Sequence, residues 1–121
     1  GGTGDDYLNV DDAGDQVVEY AGEGWDTVRV TRLGAYLLPL HAEELRFVGP
    51  ADFAGTGNAG DNRLTGGEGD DSLTGMEAAD TLLGGAGTDS LDGGSGPDVL
   101  NGNAVANTMR GGTGNDFYNL D

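Results

Sequence analysis

The chain of 121 residues carries 22 acidic residues against five basic ones, all arginine, for a formal charge of −17. Nucleic acid and anionic membranes call for clustered cations, so this balance excludes both and favours a compact cationic partner, a metal ion. Twenty-five glycines and an apolar fraction of 36% argue against an ordinary hydrophobic core, and the absence of cysteine removes disulfides and thiolate metal sites. No apolar run approaches the ~18 residues of a membrane span, so no membrane insertion is expected.

In chain order, Gly1–Asn9 reads GGTGDDYLN: glycines at places 1, 2 and 4, Asp6 at place 6 and Leu8 at place 8. Val10–Tyr20 follows, where Val17 and Val18 beside polar neighbours predict a short strand. Ala21–Arg29, AGEGWDTVR, is a near-copy with Gly22, Gly24, Asp26 and Val28 in the matching places, but the register slips by two places between Asp6 and Asp26. Thr27–Arg32 alternates polar and apolar residues and predicts a strand. Leu33–Gly49 is the one stretch without the pattern, and Pro39 prevents a continuous central strand through it. Glu44–Val48 alternates again, with Leu45 and Phe47 expected inward.

From Gly57 the nine-residue register is unbroken for seven units: GNAGDNRLT, GGEGDDSLT, GMEAADTLL, GGAGTDSLD, GGSGPDVLN, GNAVANTMR and GGTGNDFYN. Place 8 is filled by Leu64, Leu73, Leu82, Leu91, Leu100, Met109 and Tyr118. The chain thus divides into a partial block with slipped register (1–29), an irregular linking segment with short strands (30–56), a seven-unit block (57–119) and the start of a further module (120–121). Asp6–Asp11, DYLNVD, matches Asp116–Asp121, DFYNLD, so the chain is expected to be one module of a tandem array within a longer protein.

Glycine at places 1, 2 and 4 suits a tight turn, because it tolerates positive φ and leaves carbonyls unscreened. Places 7 to 9 suit a short strand with one inward side chain. A turn plus a strand per unit puts alternate units on opposite edges, so two units complete one coil. Positions eighteen apart then stack at the strand spacing of ~4.8 Å. Calcium lies ~2.3–2.6 Å from each oxygen ligand, so carboxylates on adjacent coils can share one ion. One buried aliphatic side chain per unit does little against the entropy of ordering the backbone, and the acidic repulsion adds to the deficit. A cation that binds only the folded turns would offset both.

The pattern G-G-x-G-x-D-x-U-x, with U a large apolar residue, resembles the repeats-in-toxin (RTX) nonapeptide of secreted bacterial proteins. The resemblance implies an all-β fold, a right-handed parallel β-roll, with several Ca2+ ions between successive turns held by place-6 aspartates and turn carbonyls. It also implies type I secretion, an extracellular or cell-surface location, and folding outside the cell, where calcium is plentiful. The remaining partners would be the rest of the parent polypeptide and neighbouring repeats.

On this pattern the metal-binding candidates are Gly67, Gly69 and Asp71; Asp80; Gly85, Gly87 and Asp89; Gly94, Gly96 and Asp98; and Gly112, Gly114 and Asp116. Asp71 with Asp89 and Asp98 with Asp116 are the best pairs, since their units are complete. Asp80 with Asp98 ranks lower, because Met76 and Ala78 replace glycines. Asp89 with Asn107 and Asn62 with Asp80 each offer one amide, and weak or empty sites are expected. Asp6 with Asp26, supported by Gly22 and Gly24, forms a candidate N-terminal site despite the slipped register.

A phosphate cradle is disfavoured by the lack of lysine, and an EF-hand by the lack of a twelve-residue loop ending in Glu. His41 is the lone histidine, so serine-type catalysis or a histidine zinc site would rest on it alone. The expectation is a non-catalytic calcium-binding module, a folding nucleus or spacer in a larger extracellular protein. The alternative is the C-terminal tail of a secreted hydrolase such as a protease or lipase. A third reading, sugar or protein binding on the irregular segment, would rest on Trp25 and Tyr36.

Overall fold

The computed structural model describes residues 1–103 and 105–120. Asp121, half of the expected start of a further module, lies outside them. Twelve strands run in chain order: β1 (Tyr7–Val10), β2 (Thr27–Val30), β3 (Ala35–Leu37), β4 (Glu44–Phe47), β5 (Ala54–Thr56), β6 (Arg63–Gly67), β7 (Ser72–Glu77), β8 (Thr81–Gly85), β9 (Ser90–Ser95), β10 (Val99–Asn101), β11 (Thr108–Thr113) and β12 (Phe117–Asn119). No helix occurs among the described residues, and none is therefore long and apolar enough to cross a membrane.

All pairings are parallel. A seven-stranded sheet runs β1-β2-β4-β6-β8-β10-β12 and a five-stranded sheet β11-β9-β7-β5-β3. From β5 onward the chain alternates between them, one nonapeptide to a strand, so two units make one coil. The result is a parallel β-solenoid of about six turns, a β-roll. Within the repeat block the pairing spans two full units, as in Leu73↔Leu91, Leu82↔Leu100 and Met109↔Leu91.

Strand alternation decides what faces inward. The place-8 residues Leu64, Leu73, Leu82, Leu91 and Leu100 are at most 1% exposed and form the central column of the core. Places 6 and 1 share that face: Asp71, Asp80, Asp89 and Asp98 are buried, as are Gly66, Gly75, Gly84 and Gly93. The same alternation that buries leucine therefore turns each place-6 aspartate into the edge of the roll.

The stretch 30–56, set apart in sequence, contributes β3 and β5 to one sheet and β4 to the other. Its pairings are shifted. Thr27 pairs with Glu44, a coil one residue shorter than in the repeat block, while Leu45 with Leu64 and Ala35 with Ala54 close coils one residue longer. Leu45 and Phe47 are buried, as their alternation predicts, and Phe47 stacks on Phe53 with ring centroids 4.4 Å apart. The strand predicted at Val17 and Val18 does not form. There Val17 is half-buried against the core and Val18 is exposed, while Glu19 is buried, so the segment turns a carboxylate inward beside one valine.

Candidate metal sites

One residue before each strand of the larger sheet stand Asp6, Asp26, Glu43, Asn62, Asp80, Asp98 and Asp116. On the opposite edge the corresponding residues are Gly34, Phe53, Asp71, Asp89 and Asn107. Within each column the side chains form a ladder. One oxygen accepts the backbone N–H of the residue one coil earlier: Phe53 N–H donates to Asp71 Oδ1 (2.8 Å), Asp71 to Asp89 (2.9 Å) and Asp89 to Asn107 (2.7 Å). On the other edge Asn62 donates to Asp80 (2.8 Å), Asp80 to Asp98 (2.9 Å) and Asp98 to Asp116 (3.1 Å). The N-terminal part continues the ladder, with Asp6 N–H on Asp26 Oδ1 (2.9 Å) and Asp26 N–H on Glu43 Oε2 (2.8 Å). The structure thus brings together every pair chosen from the sequence, each on adjacent coils.

The second oxygen of each carboxylate is the informative one. Oδ2 of Asp71, Asp80, Asp89 and Asp98 is buried and has no hydrogen-bond partner, and the same holds for Oδ2 of Asp6 and Asp26 and Oε2 of Glu19 and Glu23. A buried carboxylate oxygen without a donor or cation is costly. The loop excludes a side chain at place 1: a Cβ on Gly66 would collide with Asp71 Oδ2 and lie 2.6 Å from Gly84 O, and one on Gly75 would do the same to Asp80 Oδ2 and Gly93 O. Glycine at place 1 is thus required by the carboxylate folded over it. At places 2 and 4 the turn favours glycine, with φ between +96° and +134° at Gly85, Gly87, Gly94, Gly96, Gly112 and Gly114. Gly67 shares that conformation (φ +121°), while at Gly69 a Cβ would strike the Ala51 backbone. In the slipped N-terminal unit Gly22 and Gly24 also have positive φ.

Burial pushes the Asp71 carboxyl up to about 6; the Phe53 N–H opposes the rise, and the charges of Asp89, Asp52 and Asp70 add to it. Asp80 is pushed up to about 7 by burial, against the Asn62 N–H, with Asp98 and Asp61 adding. Asp89 and Asp98 are raised by burial as well, against their ladder N–H bonds, with Asp70 acting on the first and Asp116 and Asp92 on the second. The edge is thus a row of desolvated carboxylates in want of positive charge.

The two asparagines in the ladder are satisfied differently. Asn107 Nδ2 donates to the Gly102 and Val105 carbonyls, and Asn62 Nδ2 to Asn58 Oδ1 and, at 3.4 Å, Ala42 O. Both units also carry Asn at place 2, and these side chains bond carbonyls of the coil below: Asn58 Nδ2 reaches Pro39 O and Ala42 O, and Asn103 Nδ2 reaches Gly85 O. In these two loops amide N–H groups bond the turn carbonyls.

A second ladder runs outside the first, through place 5. Asp5, Asp52, Asp61 and Asp70 accept the N–H of Trp25, Asp70, Ala79 and Thr88 on the following coil. Pro97, which has no N–H, follows one coil after Ala79, which has no side-chain acceptor. Trp25 also donates through Nε1 to Glu44 Oε2 (3.4 Å) and shares a shallow groove with Leu40, His41 and Asn58, which Tyr36 does not line.

Glu43 was not among the residues singled out by sequence. The signal was present: Glu43 precedes Leu45 by two residues, as each place-6 aspartate precedes its place-8 leucine. The coils on either side, one residue short and one residue long, take it out of the nine-residue period.

This geometry fits a hard cation with oxygen ligands: orphaned inward carboxylate oxygens, a loop that excludes side chains, and no lysine to neutralise them. The family model described as the RTX calcium-binding nonapeptide repeat (4 copies) matches residues 56–91 and 92–121, more than half of the chain. The chain belongs to that family, a class of calcium-binding repeat folded as a β-roll. No curated protein and no solved structure matches the chain.

Proposed function

We propose that this chain is a non-catalytic calcium-folded module of a larger secreted protein, with its ions held between successive coils by the inward oxygens of the place-6 carboxylates and by turn carbonyls. The observation that carries this reading is the row of buried, partnerless Oδ2 atoms on Asp71, Asp80, Asp89 and Asp98. Calcium supplies the positive charge that offsets their desolvation and mutual repulsion.

The chain's own residues do the rest. Each Oδ1 holds the previous coil by its N–H, which fixes the carboxylate and aims Oδ2 inward. Place-1 glycine leaves room for that oxygen, and the positive-φ glycines shape the turn. Asp71–Asp89, Asp80–Asp98 and Asp98–Asp116 are the carboxylate pairs suited to an ion, whereas the amide-filled loops of Asn62 and Asn107 are suited to none.

Because folding in this reading waits for calcium, the chain would cross a type I secretion system unfolded and fold outside the cell, there acting as a folding nucleus or spacer. The test is far-ultraviolet circular dichroism in chelator and then in millimolar calcium. A large gain of β signal with calcium is expected, and equal β content in both conditions would overturn the reading.

A further inference from the structure

Glu19 lies in the one part of the N-terminal region that follows no repeat, between the units holding Asp6 and Asp26. Its residue is 6% exposed, Oε1 is bonded by the Gly1 nitrogen, and Oε2 is buried without a partner. Asp26 is fully buried and its Oδ2 is likewise bare, as is Oδ2 of Asp6. One carboxylate oxygen from each of the three residues lies within 4.8 Å of the other two. Elsewhere a coil brings two carboxylates into register; here three converge, and among the described residues the Gly1 ammonium, ion-paired with Glu19 Oε1, is the one cation paired with any of them, leaving Glu19 Oε2 and the two Oδ2 atoms bare.

We propose that Asp6, Glu19 and Asp26 together bind one divalent cation of the calcium class, with Glu19 as a ligand supplied from outside the nonapeptides. The inference rests on the reading that the place-6 carboxylates take calcium, and adds to it a site with a different ligand set. Three charged oxygens within 4.8 Å match ligands about 2.3–2.6 Å from a common calcium ion. The ligand set is all oxygen, which disfavours zinc, whose sites are built mainly from nitrogen and sulfur. Ligand charge count tunes calcium affinity, so this site should fill at lower calcium than the two-carboxylate sites of the regular coils. The slipped register has a purpose in this reading: the coil from Asp6 to Asp26 contains the extra length that brings Glu19 back to the edge.

The test uses the whole chain, with calcium counted by equilibrium dialysis and terbium, a calcium-sized ion, read by luminescence excited through Trp25. Trp25 is the sole tryptophan and adjoins Asp26 in sequence, so its sensitised emission reports this end of the roll. Glu19→Gln keeps the side chain's size and its acceptor for the Gly1 nitrogen. The expected result is a loss of one ion per chain and most of the Trp25-sensitised emission, whereas Asp89→Asn leaves that emission intact. Unchanged stoichiometry and emission in E19Q, with an ion lost in D89N, would overturn this site alone. A wild-type chain that takes up no calcium would overturn both this site and the broader reading. If circular dichroism shows that E19Q does not fold in calcium, Glu19→Asp decides. A shortened ligand should weaken terbium binding at unchanged stoichiometry, and wild-type affinity would sink the proposal.

Discussion

The two ends of the roll share parallel stacking on the larger sheet but differ in what fills their coils. In the N-terminal part, up to Thr56, the core holds Val10, Val28, Val30, Leu38, Ala42, Leu45, Phe47 and Phe53, including an aromatic stack. In the regular block it narrows to one leucine per unit, Leu64, Leu82 and Leu100 stacked on one sheet and Leu73 and Leu91 on the other, flanked by glycines and buried aspartates. Opposite Asp71 on the ladder, where a carboxylate would stand one coil earlier, is Phe53. A coil can therefore be closed by an apolar side chain or by a charged edge that needs a cation, and the backbone register accommodates both. Irregular sequence in this solenoid marks a change in what closes the coil, with the stacking left intact.

Phe53→Ala breaks the comparison most directly. It removes the ring stacked on Phe47 but keeps the backbone N–H that Asp71 accepts. The expected loss is about 3–5 kcal/mol of stability in denaturant titration at saturating calcium, the usual range for a buried Phe, with the number of bound ions unchanged. A drop in ion count would show that the apolar coil and the charged edge are not separable.

The repeat block should also respond to pH through its buried carboxylates. Asp71 and Asp80 are raised from 3.8 to about 6 and about 7 in the folded chain. A raised folded-state value means that protonation favours the fold. In chelator that stabilisation is fully present below the unfolded value, near pH 4, and is lost as pH rises through about 6 to 7. Circular dichroism in chelator should therefore show β content increasing as pH falls from about 8 to about 4. In calcium the dependence reverses, since protons compete for the same oxygens, and more calcium is needed for folding at about pH 5 than at about pH 8. A flat profile in chelator would mean that the buried carboxylates are not what destabilises the metal-free chain.

Much of the arrangement is legible in the sequence for a physical reason. Stacked coils force a fixed spacing, so Asp71 with Asp89 and Leu82 with Leu100 can be paired by counting. Glu43 and Glu19 escape because the coils around them, some shorter and some longer than two nonapeptides, break that counting while preserving the edge. The asparagines show a second limit. Asn62 and Asn107 stand out in the sequence as poor ligands, but not their association with Asn58 and Asn103, whose amides bond the carbonyls of the coil below. That partnership is a contact across coils, which a single repeat does not display. It yields a sharper test: the triple change Asn103→Gly, Val105→Gly and Asn107→Asp should convert the loop to the calcium-type pattern and add one ion per chain by dialysis. An unchanged count would mean that the amides are not what keeps this loop from taking an ion.

The smallest expected effect lies within the regular block itself, in the unit GMEAADTLL. Its places 2 and 4 hold Met76 and Ala78, and both keep the turn's conformation, with φ of +96° and +74°. A side chain in that region costs on the order of 1–2 kcal/mol, which glycine avoids. The neighbouring coils fix the turn, because Gly94 and Gly96 pack directly over the Met76 and Ala78 carbonyls. Neither residue can relax to a more comfortable φ without unstacking the coil above. Ala78→Gly should therefore stabilise the calcium-bound chain by about 1 kcal/mol, the strain relieved being partly offset by the greater freedom of glycine in the unfolded chain. Denaturant midpoints in calcium measure it. A destabilised variant would show that the Ala78 methyl group makes contacts worth more than the strain it imposes, and that this unit has left the glycine-dependent type of coil for the apolar one.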